Sequence, residues 1–173
     1  MKLHPASTLA VLALLTLSGC VTVQVQPPEA TPTATAPDAE RITPTAGAAF
    51  ECDARPVLLN GAGASYRLSG ECGTVDVEGQ DIRVELDRVG VIEVHGDRVI
   101  IDADAIGTLS VSGQSNAVDA DSADSVSLRG DRNSLFIDTI GTLTIGGNDN
   151  VAKTDEPVGA VTDNGSRNDI STD

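Results

Sequence analysis

The sequence predicts an all-β protein: a short, single-chain parallel β-solenoid with coils of about 17 residues, carried behind a disordered tether. Three observations predict it. Glycine recurs at Gly79, Gly96, Gly113, Gly130 and Gly147, each 17 residues after the last. Within each interval apolar residues alternate with polar ones, the period of a strand. Aromatic residues are only 2% of the 173, with no Trp, one Tyr and two Phe, so the core must use small aliphatic side chains in many equivalent slots.

The chain opens on an export segment. Lys2 supplies a positive start, and Leu9 to Leu17 is an apolar run too short to span a bilayer as a helix. Leu17-Ser18-Gly19-Cys20 follows directly and resembles the bacterial lipoprotein signal. The resemblance implies cleavage before Cys20, diacylation of its thiol and acylation of the new amino terminus. Residues 1–19 are then the signal peptide. Their removal takes away Lys2 and no acid, so the formal charge of −15 becomes −16. Several acyl chains, at about 0.8 kcal/mol per buried CH₂, anchor a protein durably. The implied place is the cell envelope, lipid-anchored to the bilayer through Cys20. Val21, and not Asp, follows that Cys; by the same resemblance this favours the outer membrane where a cell has two.

Residues 20–49 read as a linker. Pro27, Pro28, Pro32, Pro37 and Pro44 are interleaved with Thr and Ala, a composition that stays extended and solvated. Residues 50–173 are expected to form the solenoid. Its start carries Cys52 and Cys72. With Cys20 lipidated, an even pair remains in an exported chain, which favours a disulfide over two buried thiols. Their separation in sequence is close to one coil, so the pair would staple the first coil to the second.

The repeats come next. Counted from each glycine, position +5 is Val84, Ile101, Val118 and Leu135, and position +7 is Leu86, Ala103, Ala120 and Ile137. Positions +13 and +15 are Ile92/Val94, Leu109/Val111, Val126/Leu128 and Leu143/Ile145. Position +10 holds Val89, Ile106, Ala123 and Ile140, and Gly90, Gly107 and Gly141 recur at +11. Each unit therefore reads strand, tight turn, strand, tight turn. One unit cannot bury its own apolar face, but stacked coils can. Six or seven coils at about 4.8 Å each give a rod roughly 30 Å long. An antiparallel sandwich would explain the alternation but not so many columns in register.

The polar columns carry the candidate chemistry. Asn116, Asn133, Asn150 and Asn168 succeed Ile82 and Val99 at +3; stacked amides can hydrogen-bond up the column, and Asn suits a left-handed turn. At +8 stand Asp87, Asp104, Asp121, Asp138 and Asp155. The bland reading is an Asx turn at each Asp. The sharper reading is Ca²⁺ held between coils, with Asp87, Asp104, Asp121 and Asp138 as candidates. Position +2 alternates as Asp81, Arg98, Ser115, Arg132, Asp149 and Arg167, which reads as pairing between coils that selects register. The last unit, with Asp163, Asn164, Ser166, Arg167 and Asp169, reads as a polar cap.

The phrases Leu109 to Val118, Leu128 to Leu135 and Ile145 to Val151 follow V-x-G-x-x-N-x-V with variation, after the run Cys72 to Gly79. They resemble the family called domain of unknown function 3060, bacterial envelope proteins that are often lipoproteins. The likeness covers about residues 52–170 and departs from the pattern at Ile82 and Val99. It implies a fold and a location but no substrate, cofactor or catalytic residue.

Three function classes follow. The first is a non-catalytic envelope scaffold or binding module for a protein or glycan; it is the reading the sequence favours, with no cofactor and no catalytic residue. The second is a Ca²⁺-binding surface protein. The third is a β-helix carbohydrate-active enzyme, for which paired acids are the chemistry required; here every acid belongs to a repeating column, and His95 reads as an outward residue before a turn. The acidic balance argues against nucleic acid as a partner.

Overall fold

A computed structural model describes residues 41–173. The expected signal peptide, Cys20 and most of the linker lie outside the described residues. The described chain is a parallel β-solenoid of about seven turns. Its strands are β1 (Ala49–Glu51), β2 (Val57–Ala62), β3 (Ser65–Gln80), β4 (Arg83–Asp97) and β5 (Ile100–Ser112), then β6 (Ala117–Arg129), β7 (Ser134–Ile145), β8 (Val151–Thr154), β9 (Ala160–Asp163) and β10 (Asp169–Thr172). Every pairing is parallel, in the order β1-β3-β4-β5-β6-β7-β8-β10, with β2 on β3 and β9 on β7.

The columns read from the sequence are columns in space. Val84 pairs with Ile101, Ile101 with Val118 and Val118 with Leu135. The side chains at +5, +7, +10, +13 and +15 in these four units are all buried. A regular pleat turns every second residue inward, and stacking at one strand spacing sets each aliphatic on its counterpart.

The expected tight turn after +7 is a bend within one continuous strand. Between β4 and β5 the ladder skips only Asp87 and Gly90 and pairs Val89 with Ile106. Each coil thus turns three inward-facing segments to the core, the middle one a single residue at +10. The glycine at +11 permits the bend because the coil beneath lies close: a Cβ on Gly107 would sit 2.5 Å from the Gly90 carbonyl oxygen.

The sharper turn surrounds the glycines that set the repeat. A Cβ on Gly113 would meet the Gly96 oxygen at 2.0 Å, and Gly113 holds φ at +141°. Two residues on, Asp81, Arg98, Ser115, Arg132, Asp149 and Arg167 all take left-handed φ of 56–58°. The turn conformation expected of Asn therefore belongs to the preceding residue. Asn116, Asn133 and Asn150 point inward and are buried instead.

The solenoid begins earlier than residue 50. Ile42 bridges to Val57, and Pro44 is buried, so residues 41–49 join the folded unit. The repeat is slightly longer near both ends than in the middle. A register shift lies between Leu68 and Glu71, where Gly70 takes φ of +76°. Toward the other end the offset changes between the Phe136–Lys153 and Thr142–Ala160 pairs.

Candidate functional site

The cysteine expectation is met in the folded unit. Cys52 and Cys72 form a disulfide with a Cα separation of 4.9 Å, both buried against the core. Cys52 N–H donates to the Ser69 carbonyl of the next coil, so the bridge joins neighbouring coils. Cys20, the expected lipid attachment, lies outside the described residues.

The Asn column is a hydrogen-bond ladder running through the edge of the core. Asn133 Oδ1 accepts from the Asn116 N–H at 2.9 Å, and Asn150 Oδ1 accepts from the Asn133 N–H at 2.9 Å. Each Nδ2 reaches a glycine carbonyl of the preceding turn: Asn133 to Gly113 at 3.1 Å and Asn150 to Gly130 at 2.9 Å. These side chains satisfy backbone groups that the left-handed turn withdraws from the sheet. Their partners are all internal, which leaves no amide free for a sugar.

The Asp column stands outside. Asp87, Asp104, Asp121 and Asp138 are exposed. Of their four carboxylates that of Asp87 alone accepts a hydrogen bond, from the Gly70 N–H of the preceding coil at 2.8 Å, and not from its own turn. The Asx-turn expectation is thereby corrected: the bend at +8 is held by the ladder on either side of it. Partial dehydration, then the neighbouring charges of Asp155, Asp121 and Asp119, hold the Asp138 carboxyl above its ordinary pKa. Dehydration and neighbouring charge both disfavour the ionised form of this one carboxyl. Glu85, Asp87, Asp102 and Asp104 share a shallow open depression in which Arg67 is bound to Glu85 at 2.7 Å.

The alternating column pairs at two of its three adjacent opposite charges, and Arg132 donates to Gln114 instead of to Asp149. Arg98 grips Asp81 with two bonds, at 2.6 and 2.8 Å, and Arg167 grips Asp149 with two at 2.6 Å. Both Asp carboxyls lie below their ordinary pKa, chiefly through these hydrogen bonds.

One further group was not singled out by the sequence reading. Asp76, Glu93 and His95 each offer a ligating atom within 4.8 Å of the other two, the one such group among the described residues. Asp76 and Glu93 are register partners in β3 and β4, and His95 lies between Glu78 below and Ser112 above. Asp76 occupies an outward position yet is only 6% exposed. Arg41 donates to its Oδ2 at 2.8 Å, whereas Oδ1 is buried without a hydrogen-bond partner. His95 is outward and half-exposed, as expected, with Nδ1 2.9 Å from Ser112 Oγ and Nε2 3.9 Å from Glu93 Oε2. The signal was available: Asp76 and Glu93 differ by the repeat length, so both fall in one outward column.

Comparison with family models, with curated proteins and with solved structures finds no match for this chain.

Proposed function

We propose that the chain is a lipoprotein of the bacterial cell envelope, held to a membrane by acylated Cys20 and serving there as a non-catalytic scaffold or binding module. One observation carries the scaffold reading. From Ser65 to Ile145 successive coils pair with a single register shift, and their corners carry no loop long enough to wall a cleft. Such a surface is flat and polar, suited to a protein or a glycan strand. The lipoprotein signal at Leu17 to Cys20 and the proline-rich linker support the placement, with the outer membrane favoured in a two-membrane cell. The likeness to domain of unknown function 3060 points the same way.

Against the calcium alternative, the acids of the +8 column do not converge as Asp76, Glu93 and His95 do. The enzyme alternative has no acid that departs from a repeating column in the depression around Asp87.

The placement is tested by expressing the full chain in a bacterium fed radiolabelled palmitate. The label should enter the protein, and the protein should sediment with membranes. Cys20→Ala should abolish both. Label that persists in Cys20→Ala overturns the lipoprotein reading. A photo-crosslinker at Thr142, on the outward face, should give one discrete adduct with an envelope protein or glycan. Cell-wall glycan turnover by the pure protein, lost on His95→Ala, would overturn the non-catalytic part.

A further inference from the structure

We infer that Asp76, Glu93 and His95 form a binding site for a borderline divalent cation of the Zn²⁺ class. The proposal stands apart from the membrane reading and from the calcium candidates of the +8 column.

The hydrogen bonds around His95 set the chemistry. Ser112 Oγ donates to the Val94 carbonyl at 3.1 Å, so its proton is committed there. The 2.9 Å contact with His95 is then a bond that Nδ1–H donates to Ser112 Oγ. This tautomer leaves a lone pair on Nε2, the form in which imidazole binds metals. Nε2 faces Glu93 Oε2 at 3.9 Å, beyond hydrogen-bond length. In this tautomer the Nε2 lone pair is turned toward the Glu93 carboxylate.

Asp76 supplies the independent observation. Its side chain is only 9% exposed, and its Oδ1 has no partner, although an unpaired buried carboxylate oxygen is costly. Arg41 on Oδ2 fixes the carboxylate's orientation, the role an outer-sphere partner plays at metal sites. A cation among the three groups would satisfy the orphan oxygen and the facing lone pairs together. One imidazole and two carboxylates suit Zn²⁺ and its neighbours better than Ca²⁺, which takes six to eight oxygen ligands. Ligands about 2.1 Å from a tetrahedral ion lie about 3.4 Å apart. Glu93 and His95 are half-exposed and can swing in by the remaining distance, while Asp76 stays fixed. Three protein ligands leave a fourth position open to water.

The test uses the metal-free full chain in detergent. Zn²⁺ is titrated by calorimetry at pH 7.5, and Co²⁺ serves as a spectroscopic probe. One equivalent should bind, and Co²⁺ should give the visible absorption of a tetrahedral site. His95→Ala and Glu93→Gln, at half-exposed positions that the fold tolerates, should each weaken binding at least tenfold. Ser112→Ala should weaken it severalfold by releasing the tautomer. Asp104→Asn, in the +8 column, should leave it unchanged. Circular dichroism confirms that each variant is folded. No saturable binding to the parent overturns the proposal, and so does binding that survives His95→Ala or is lost in Asp104→Asn.

Discussion

At the scale of single residues, the closest approach between coils decides which letters are fixed. Gly113 combines a positive φ with a Cβ position 2.0 Å from a backbone oxygen. Gly113→Ala must push two coils apart, and we expect it to lower stability by about 3 kcal/mol or more in urea titration. Gly63 also has positive φ, at +66°, but nothing lies within 4 Å of its Cβ position. Gly63→Ala should cost only about 1–2 kcal/mol, the conformational part alone. The Asn ladder gives a second expectation. Asn133→Ala strands the buried Asn116 N–H and the Gly113 carbonyl, and should cost about 3 kcal/mol in the same assay. The recurrence of Asn was legible in the sequence, and so was its stacking. Its burial was not, because Asn favours left-handed turns and the turn here is one residue earlier, on Arg132 and its equivalents.

At the scale of one column or one coil, like charges oppose the fold and the disulfide restrains it. Asp138 has a raised pKa in the fold. Its favourable contribution is therefore complete below the unfolded value and is lost as pH rises through the raised one. Asp138→Asn should accordingly raise the melting temperature at pH 7, with the gain vanishing as the acid protonates below about pH 4. Asp81 and Asp149 carry the opposite sign. Their paired carboxylates stabilise above the unfolded pKa, and that contribution fades as pH falls through the lowered one. Reduction of Cys52–Cys72, which closes a separation of 20 residues, should lower stability by about 3 kcal/mol in denaturant melts with and without reductant. The coil's length and inward letters were legible because each recurs at a constant interval along the chain. The bend at +8 to +11 was not: a Gly after a short apolar run signals a turn, and only the neighbouring coil shows that pairing continues through Val89.

At the scale of the whole rod, the ends and the stacking decide how the protein behaves. Asp163 takes the position that Ile145 holds one coil earlier, where the column turns inward. There its Oδ1 accepts from the Gly165 N–H at 2.9 Å and from Asn168 Nδ2 at 2.8 Å. A carboxylate at this inward slot disfavours a second copy adding on to the coil. Val161 beside it is 47% exposed. Asp163→Ile should therefore give concentration-dependent self-association by sedimentation velocity where the parent does not. The polar letters of this coil were legible in the sequence. The triad of Asp76, Glu93 and His95 was passed over because its members sit in two coils and no local motif joins them.

The stacking itself is tested most directly by paired cysteines introduced in a Cys20→Ala background. Ser110 and Ser127 are register partners on the outward face, whereas Ser125 is the partner of Thr108. The first pair lies one strand spacing apart, about 4.8 Å, and Ser110 and Ser125 lie about 8 Å apart on the diagonal. Disulfides need Cα atoms within about 7 Å. Under mild oxidation the Ser110→Cys/Ser127→Cys protein should form an internal disulfide, seen by mass spectrometry of the digest, and Ser110→Cys/Ser125→Cys should not. A bond in the second protein and none in the first would contradict the solenoid.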